Sequence, residues 1–150
     1  MLEIRKATLD DRIDVMVLIA LMHSESPRFS KFPFQVEKAA QLFDTLVERG
    51  VVLVAQKDDE LVGFFAGGIT EHLLSYEHYA ADMGVYVRRD QRGGSAFMRL
   101  IKAFEQWVKD QGVNEIVIGT STEINAEQTV RMYERLGYRI SSYGLIKAGA

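Results

Sequence analysis

The feature that most constrains the fold is a glycine-rich turn between a strand-like segment and a long amphipathic one. Residues 80–88 place apolar side chains at alternate positions, and residues 95–111 repeat them at helical spacing. Gly93 and Gly94 lie between these segments, beside arginines at positions 88, 89 and 92. A strand that feeds a glycine turn and then a helix directs backbone N–H groups and the helix dipole toward one point. The turn therefore predicts an anion site, although a Gly-Gly pair alone is more often an ordinary tight turn.

The rest of the chain, on both sides of this turn, is also predicted to consist of strands and helices. Strands are predicted at residues 2–7, 51–56, 61–69 and 114–119, helices at 8–22, 34–49 and 125–136, and one or two more strands within 138–147. In the first helix, Ile13, Val17 and Leu21 share one face and are expected to point to the core. This order predicts an α/β fold with a mixed sheet covered by helices, in one domain spanning residues 1–150.

Composition excludes several classes of site and partner. The chain has no cysteine, and its three histidines lack the spacing of zinc ligands, so neither disulfides nor a metal site are expected. A net charge of -3 argues against a nucleic-acid-binding domain. No apolar run approaches the roughly 20 residues of a membrane span, and no secretory signal is evident. We expect a cytoplasmic protein with no membrane or nucleic-acid partner.

Two segments resemble the GNAT superfamily of N-acetyltransferases. Residues 92–97, Arg-Gly-Gly-Ser-Ala-Phe, are similar to its signature of Arg or Gln, two residues, Gly, one residue, then Gly or Ala. Ser95 stands where the family usually has Gly, and Phe97 where it has Gly or Ala. About 40 residues later, residues 131–138 resemble the family's Leu-Tyr-Glu-Lys-Leu-Gly-Phe stretch. The resemblance covers essentially the whole chain and implies a mostly antiparallel sheet of six to seven strands with about four helices.

The resemblance also implies an activity, the transfer of an acetyl group from acetyl-CoA to a primary amine by direct attack in a ternary complex. Tyr133 occupies the position of the family's acid, which protonates the departing thiolate, and a phenol with a pKa of about 10 suits that task. Backbone N–H groups around Gly84 would face the thioester oxygen. The implied cofactor-binding residues are Val85, Val87, Arg92, Gly93, Gly94, Ser95, Ala96, Phe97 and Asn125.

The sequence leaves the base, the acceptor and one alternative function open. A base must accept the proton of the attacking amine, and five residues near the start of the fourth strand are candidates: Glu71, His72, Glu77, His78 and Asp82. The acceptor is expected to be a small-molecule or peptide amine, and exposed helix faces leave room for a homodimer. The alternatives are a non-catalytic module that binds or senses CoA on the same fold and an unrelated α/β protein that holds another phosphate.

Overall fold

The computed structural model describes residues 1–149, which form five strands, four α-helices and three short 3-10 turns. The strands are β1 (Leu2–Lys6), β2 (Val51–Lys57), β3 (Glu60–Glu71), β4 (His78–Val87) and β5 (Ile116–Val117). The helices are α1 (Arg12–Glu25), α2 (Val36–Arg49), α3 (Ala96–Asp110) and α4 (Ala126–Arg135). The 3-10 turns cover Leu9–Asp11, Phe29–Lys31 and Arg89–Gln91.

The strands form one sheet in chain order, from β1 to β5. All neighbouring pairs are antiparallel except β4 and β5, which run parallel. The predicted mixed, mostly antiparallel sheet with about four helices is therefore confirmed.

Helices cover both faces of the sheet because its central strands are apolar on both sides. Residues 51–55 of β2 are all buried. On one face, Val15 and Leu18 of α1 and Phe43 of α2 pack against side chains of β2, β3 and β4. On the other face, α3 supplies a buried stripe, Ala96, Leu100, Ile101, Phe104 and Val108. The Phe104 ring stacks on Phe65 of β3 at 4.5 Å between centroids, which fixes α3 over the middle of the sheet.

Six to seven strands were expected, and the structure has five among residues 1–149. The strands that are absent are those predicted near the C-terminal end. β5 contains only two residues, and its backbone pairs with Ala80 and Ala81 of β4. Residues 139–149 form no strand and donate no backbone hydrogen bond to another backbone within the described chain. Residues 140, 143, 145 and 146 are apolar or aromatic and compatible with a strand, but a strand also needs a neighbouring backbone, and the short β5 offers little edge to pair with.

Helix α1 presents a different face to the core than the sequence predicts. Ile13, Val17 and Leu21 are 77%, 55% and 41% exposed, whereas Val15 and Leu18 are buried. Every position from 15 to 22 is apolar, so helical spacing alone does not select one face. The rotation of α1 is fixed at its start, where the Arg5 guanidinium donates two hydrogen bonds of 2.9 Å to the Asp11 carboxylate.

No helix within residues 1–149 has both the length and the apolar character that crossing a membrane requires.

Candidate active site

A cavity of about 400 Å³ opens where β4 and β5 separate. β4 pairs with β3 as far as Val87 but with β5 only at Ala80 and Ala81, so the two strands diverge beyond that point. At this position the pairing of β4 with β3 skips Met83, an extra residue of the kind that forms a bulge. The walls of the cavity come from β4, the glycine turn, the start of α3, residues 119–125 and the first turns of α4.

The glycine turn and the start of α3 form a set of free backbone donors, which we call the phosphate loop (residues 92–97). Gly93 has a φ of 89°, a left-handed conformation that glycine adopts readily. The first N–H groups of a helix have no partner within it. Among residues 1–149, none of the N–H groups of residues 93–97 has a hydrogen-bond acceptor. Five donors at the positive end of a 15-residue helix are well suited to bind a phosphate.

Arg92 is tied to the protein rather than free to reach a ligand. Its Nε donates to the Val87 carbonyl oxygen at 2.9 Å, and its two terminal nitrogens donate to the two carboxylate oxygens of Glu25. Its guanidinium also lies 5.3 Å from the centre of the Tyr86 ring. Hydrogen bonds from Arg92 and Tyr86 lower the pKa of Glu25 to about 2, so this carboxylate is ionised at neutral pH. The groups that this loop leaves free for an anion are therefore its backbone donors rather than the guanidinium of Arg92.

The structure brings most of the predicted cofactor-binding residues to this one cavity. It is lined by Val85, Val87, Arg92, Gly93, Gly94, Phe97 and Asn125. Ser95 is exposed at the N-terminus of α3 but does not line the cavity, and Ala96 is buried beneath the turn. Asn125 is the N-cap of α4 and has a left-handed backbone, with a φ of 47°.

The polar wall that faces the phosphate loop was not predicted from the sequence. We call residues 119–125 the polar loop, because they contribute Thr120, Ser121 and Thr122 to the cavity. The signal in the sequence was a run of hydroxyl side chains directly after an apolar strand. Glu25 was not predicted either, and no local pattern indicates it, because its partner Arg92 lies 67 positions away.

Tyr133 is buried, only 5% exposed, between aromatic neighbours. The centre of its ring lies 5.7 Å from that of Phe97 and 5.3 Å from that of Tyr138. Its hydroxyl has no hydrogen-bond partner within the described residues, which is unusual for a buried polar group. Burial, followed by the nearby Asp82 carboxylate, raises the pKa of Tyr133, so the hydroxyl keeps its proton at neutral pH.

Tyr133 lies beside the first cavity rather than in its lining. It faces a second space of about 920 Å³, bounded by β5, α4 and the segment after α4. Phe97 lines the first cavity and its ring packs against that of Tyr133, so the tyrosine contacts the phosphate loop through Phe97.

Of the five candidate bases, Asp82 alone lines the cavity beside the phosphate loop. His72, Glu77 and His78 line a different surface cavity, and Glu71 is exposed and lines neither. The Asp82 carboxylate accepts a hydrogen bond of 3.1 Å from the backbone N–H of Gly119. Burial raises the pKa of Asp82 above its ordinary value, which makes it a stronger base. No group of three or more His, Cys, Asp or Glu side chains within residues 1–149 could hold a metal ion.

The sequence model of the Acetyltransferase (GNAT) family matches residues 18–138 of the 150-residue chain. The matched region contains both the phosphate loop and Tyr133. A search of curated proteins found no match.

Solved structures with low sequence identity share the fold over nearly the whole chain. An aminoglycoside N-acetyltransferase in complex with CoA aligns with a TM-score of 0.80 and 14% identity, over 98% of this chain and 93% of its own. A ribosomal-protein-alanine N-acetyltransferase from Brucella melitensis aligns with a TM-score of 0.74 and 17% identity, over 97% of each chain. A glucosamine-6-phosphate N-acetyltransferase from Arabidopsis thaliana aligns with a TM-score of 0.75 and 16% identity, over 100% of this chain and 99% of its own.

Proposed function

The chain belongs to the acetyltransferase (GNAT) family and is an acyltransferase, and we propose that it transfers the acetyl group of acetyl-CoA to a primary amine by direct attack in a ternary complex. The observation that carries this proposal is the phosphate loop, which has five free N–H groups and contributes Gly93, Gly94 and Phe97 to the lining of the cavity between the separated strands β4 and β5.

The residues present fit acetyl-CoA as a cosubstrate. Backbone N–H groups of residues 93–97 would hold its pyrophosphate, supported by the dipole of α3. The hydroxyl and amide groups of the polar loop and of Asn125 would contact the pantetheine arm, which carries amide groups of its own. Because CoA supplies the activated acyl thioester, the protein has to position the amine, accept a proton and donate a proton.

Asp82 is the proposed base. The amine enters in its neutral form and attacks the thioester carbonyl carbon through its free electron pair, so its nitrogen becomes positively charged and must lose a proton. The Asp82 carboxylate accepts that proton, directly or through water, as the new C–N bond forms. The Gly119 N–H holds the carboxylate in place, and its raised pKa brings it closer to the range in which a base works at neutral pH.

Tyr133 is the proposed acid. When the C–S bond breaks, the sulfur leaves with the electron pair and takes the proton of the Tyr133 hydroxyl. The hydroxyl has no internal acceptor to compete for that proton, and it is protonated at neutral pH. The tyrosine regains a proton from solvent, and the proton on Asp82 is released to solvent, so the cycle is balanced.

An amine acceptor is supported by the structural relatives. Their named activities are N-acetylations of three unlike substrates: an aminoglycoside, an alanine of a ribosomal protein and glucosamine-6-phosphate. The common chemistry is the amine rather than the molecule that bears it. We therefore propose a small-molecule or peptide amine.

The proposal is tested by measuring thiol release from acetyl-CoA with a panel of amines that includes aminoglycosides, polyamines, amino sugars and peptides. We expect at least one amine to accelerate release of CoA and to gain 42 Da, the mass of an added acetyl group, in a product analysed by mass spectrometry. Binding of CoA without turnover of any amine would favour a non-catalytic CoA-binding module. Failure to bind CoA at all would overturn the proposal.

A further inference from the structure

Two adjacent residues at the end of α1 contact opposite sides of the cavity. Glu25 is the last residue of α1, and Ser26 follows it at the C-cap. Glu25 contacts the phosphate loop, whereas Ser26 contacts the polar loop. Neither residue lines the cavity itself. Both residues therefore lie behind the cavity walls, where they contact the two loops that form them.

Glu25 holds the phosphate-loop side through charged hydrogen bonds. Its carboxylate receives two from Arg92, one of 3.0 Å, and one of 2.8 Å from the Tyr86 hydroxyl. Arg89 adds a longer contact of 3.3 Å. Since the Glu25 side chain is only 13% exposed, these contacts are shielded from solvent. They fix the position from which the phosphate loop begins.

Ser26 holds the polar-loop side through a single hydroxyl. Ser26 is fully buried, and its Oγ donates a hydrogen bond of 2.6 Å to the Thr122 carbonyl oxygen. The same Oγ accepts a hydrogen bond from the Phe29 N–H at 2.9 Å. The polar loop follows a two-residue strand, and it contains two non-glycine residues with positive φ, Glu123 and Asn125. A loop of this kind keeps such a conformation only where its surroundings hold it.

Because Glu25 is charged, repulsion of a phosphate and positioning of the phosphate loop predict opposite changes in affinity when it is replaced. A carboxylate near a phosphate site repels the ligand, so removal of its charge alone would strengthen phosphate binding. If Glu25 instead fixes the phosphate loop, its removal weakens binding. The two effects have opposite signs and can be told apart by one affinity measurement.

We propose that Glu25 and Ser26 are positioning residues, which set the distance between the phosphate loop and the polar loop at the width that CoA requires. Glu25 acts through Arg92 on the pyrophosphate end of the ligand, and Ser26 acts through Thr122 on the pantetheine end. This inference rests on the proposed function, because it takes CoA as the ligand.

The test compares CoA with pantetheine, which lacks the pyrophosphate, by calorimetric titration of the full chain. In Glu25→Gln we expect the Kd of CoA to rise about tenfold, in line with the loss of one charged hydrogen bond, while the Kd of pantetheine stays unchanged. In Ser26→Ala we expect both Kd values to rise by similar factors. Glu48→Gln and Ser24→Ala are matched exposed controls and should leave both values as in the wild type.

A double-mutant cycle separates positioning through Arg92 from a general loss of structure. Glu25→Gln should have no further effect on CoA affinity in an Arg92→Gln background. Unchanged pantetheine binding by Glu25→Gln shows that this variant is folded. Tighter binding of CoA by Glu25→Gln, or wild-type affinity in both single variants, would overturn the inference. If the wild type binds neither ligand, the proposed function fails instead.

Discussion

The phosphate loop and the polar loop face each other across one cavity but are stabilised in different ways. The phosphate loop begins a 15-residue helix, and charged contacts between Arg92 and Glu25 fix it. The polar loop follows a two-residue strand, and its long-range contacts include one hydroxyl bond from Ser26 and one N–H bond to Asp82.

This difference separates binding from chemistry. Contacts between Arg92 and Glu25 hold the phosphate loop in place, so its five free donors are already positioned for a ligand. Such a preorganised site suits the pyrophosphate, which is the same in every cycle of a cosubstrate. The opposite side holds the two groups proposed to move protons, Asp82 and Tyr133, where the sheet divides. Substitutions at the phosphate loop should therefore change affinity, and substitutions at the strand division should change turnover.

The largest expected effect is at Asp82. Asp82→Asn keeps an acceptor for the Gly119 N–H but cannot take the proton of the amine, so kcat should fall by between about 10² and 10⁴-fold with little change in CoA affinity. Because the pKa of Asp82 is raised, kcat/KM of the wild type should increase with pH through a value above the ordinary 3.8. In Asp82→Asn, kcat/KM should not show this increase with pH. Glu77→Gln, in the other cavity, is the control, and equal rates for Asp82→Asn and wild type would exclude Asp82 as the base.

The next effect concerns stability, and it tests how firmly the phosphate loop is locked. The pKa of Glu25 falls from its ordinary 4.5 to about 2, which corresponds to about 3 kcal/mol of folding free energy. A depressed carboxyl pKa contributes stability above the unfolded value and loses it as the pH falls through the folded value. The free energy of unfolding of wild type should thus exceed that of Glu25→Gln at pH 7, and the gap should shrink between pH 4.5 and 2. Urea unfolding at pH 7, 4 and 3 measures it, and a gap independent of pH would contradict the ion pair.

Tyr133→Phe should lower kcat by roughly tenfold and leave the Kd of CoA unchanged, because it removes only the proton donor. The same variant should be as stable as the wild type or more so, since it deletes a buried hydroxyl that has no partner. Pre-steady-state kinetics measures the rate and the CoA affinity, and thermal melting measures the stability. A wild-type rate would remove Tyr133 from the mechanism.

The smallest expected effect is a change in CoA affinity when either glycine of the phosphate loop is replaced by alanine. Gly93 has a φ of 89°, where an alanine costs about 1 kcal/mol, so Gly93→Ala should weaken CoA binding about fivefold as the loop shifts. Gly94 has no such φ, and a Cβ there would meet only the Gln91 carbonyl oxygen at 3.8 Å. Gly94→Ala should therefore have the smaller effect. Equal losses would mean that ligand approach, rather than backbone conformation, requires both glycines.

The sequence predicted the features that depend on nearby residues. A strand, a glycine turn and an amphipathic helix are each local patterns, so the phosphate loop and α3 were predicted close to their observed bounds. The helical pattern also predicted α4 to within one residue of its observed ends, including Tyr133 on its buried side.

Features that depend on distant contacts could not be predicted. Glu25 and Ser26 meet partners 67 and 96 positions away, and no spacing rule relates them. The predicted core face of α1 was wrong because apolar residues occupy all sides of that helix, and the predicted terminal strands were wrong because strand-forming residues do not reveal whether a neighbouring strand is present. Asp82 could be selected from five candidate bases only once the strands were seen to separate beyond Ala81.

The most direct test of acetyl-CoA-dependent transfer at this cavity is a crystal structure of the chain with CoA bound. We expect pyrophosphate oxygens at about 3 Å from the backbone nitrogens of residues 93–97, with the sulfur between Asp82 and the Tyr133 hydroxyl. A pyrophosphate bound elsewhere on the chain, or a sulfur far from both side chains, would contradict the proposed site and mechanism.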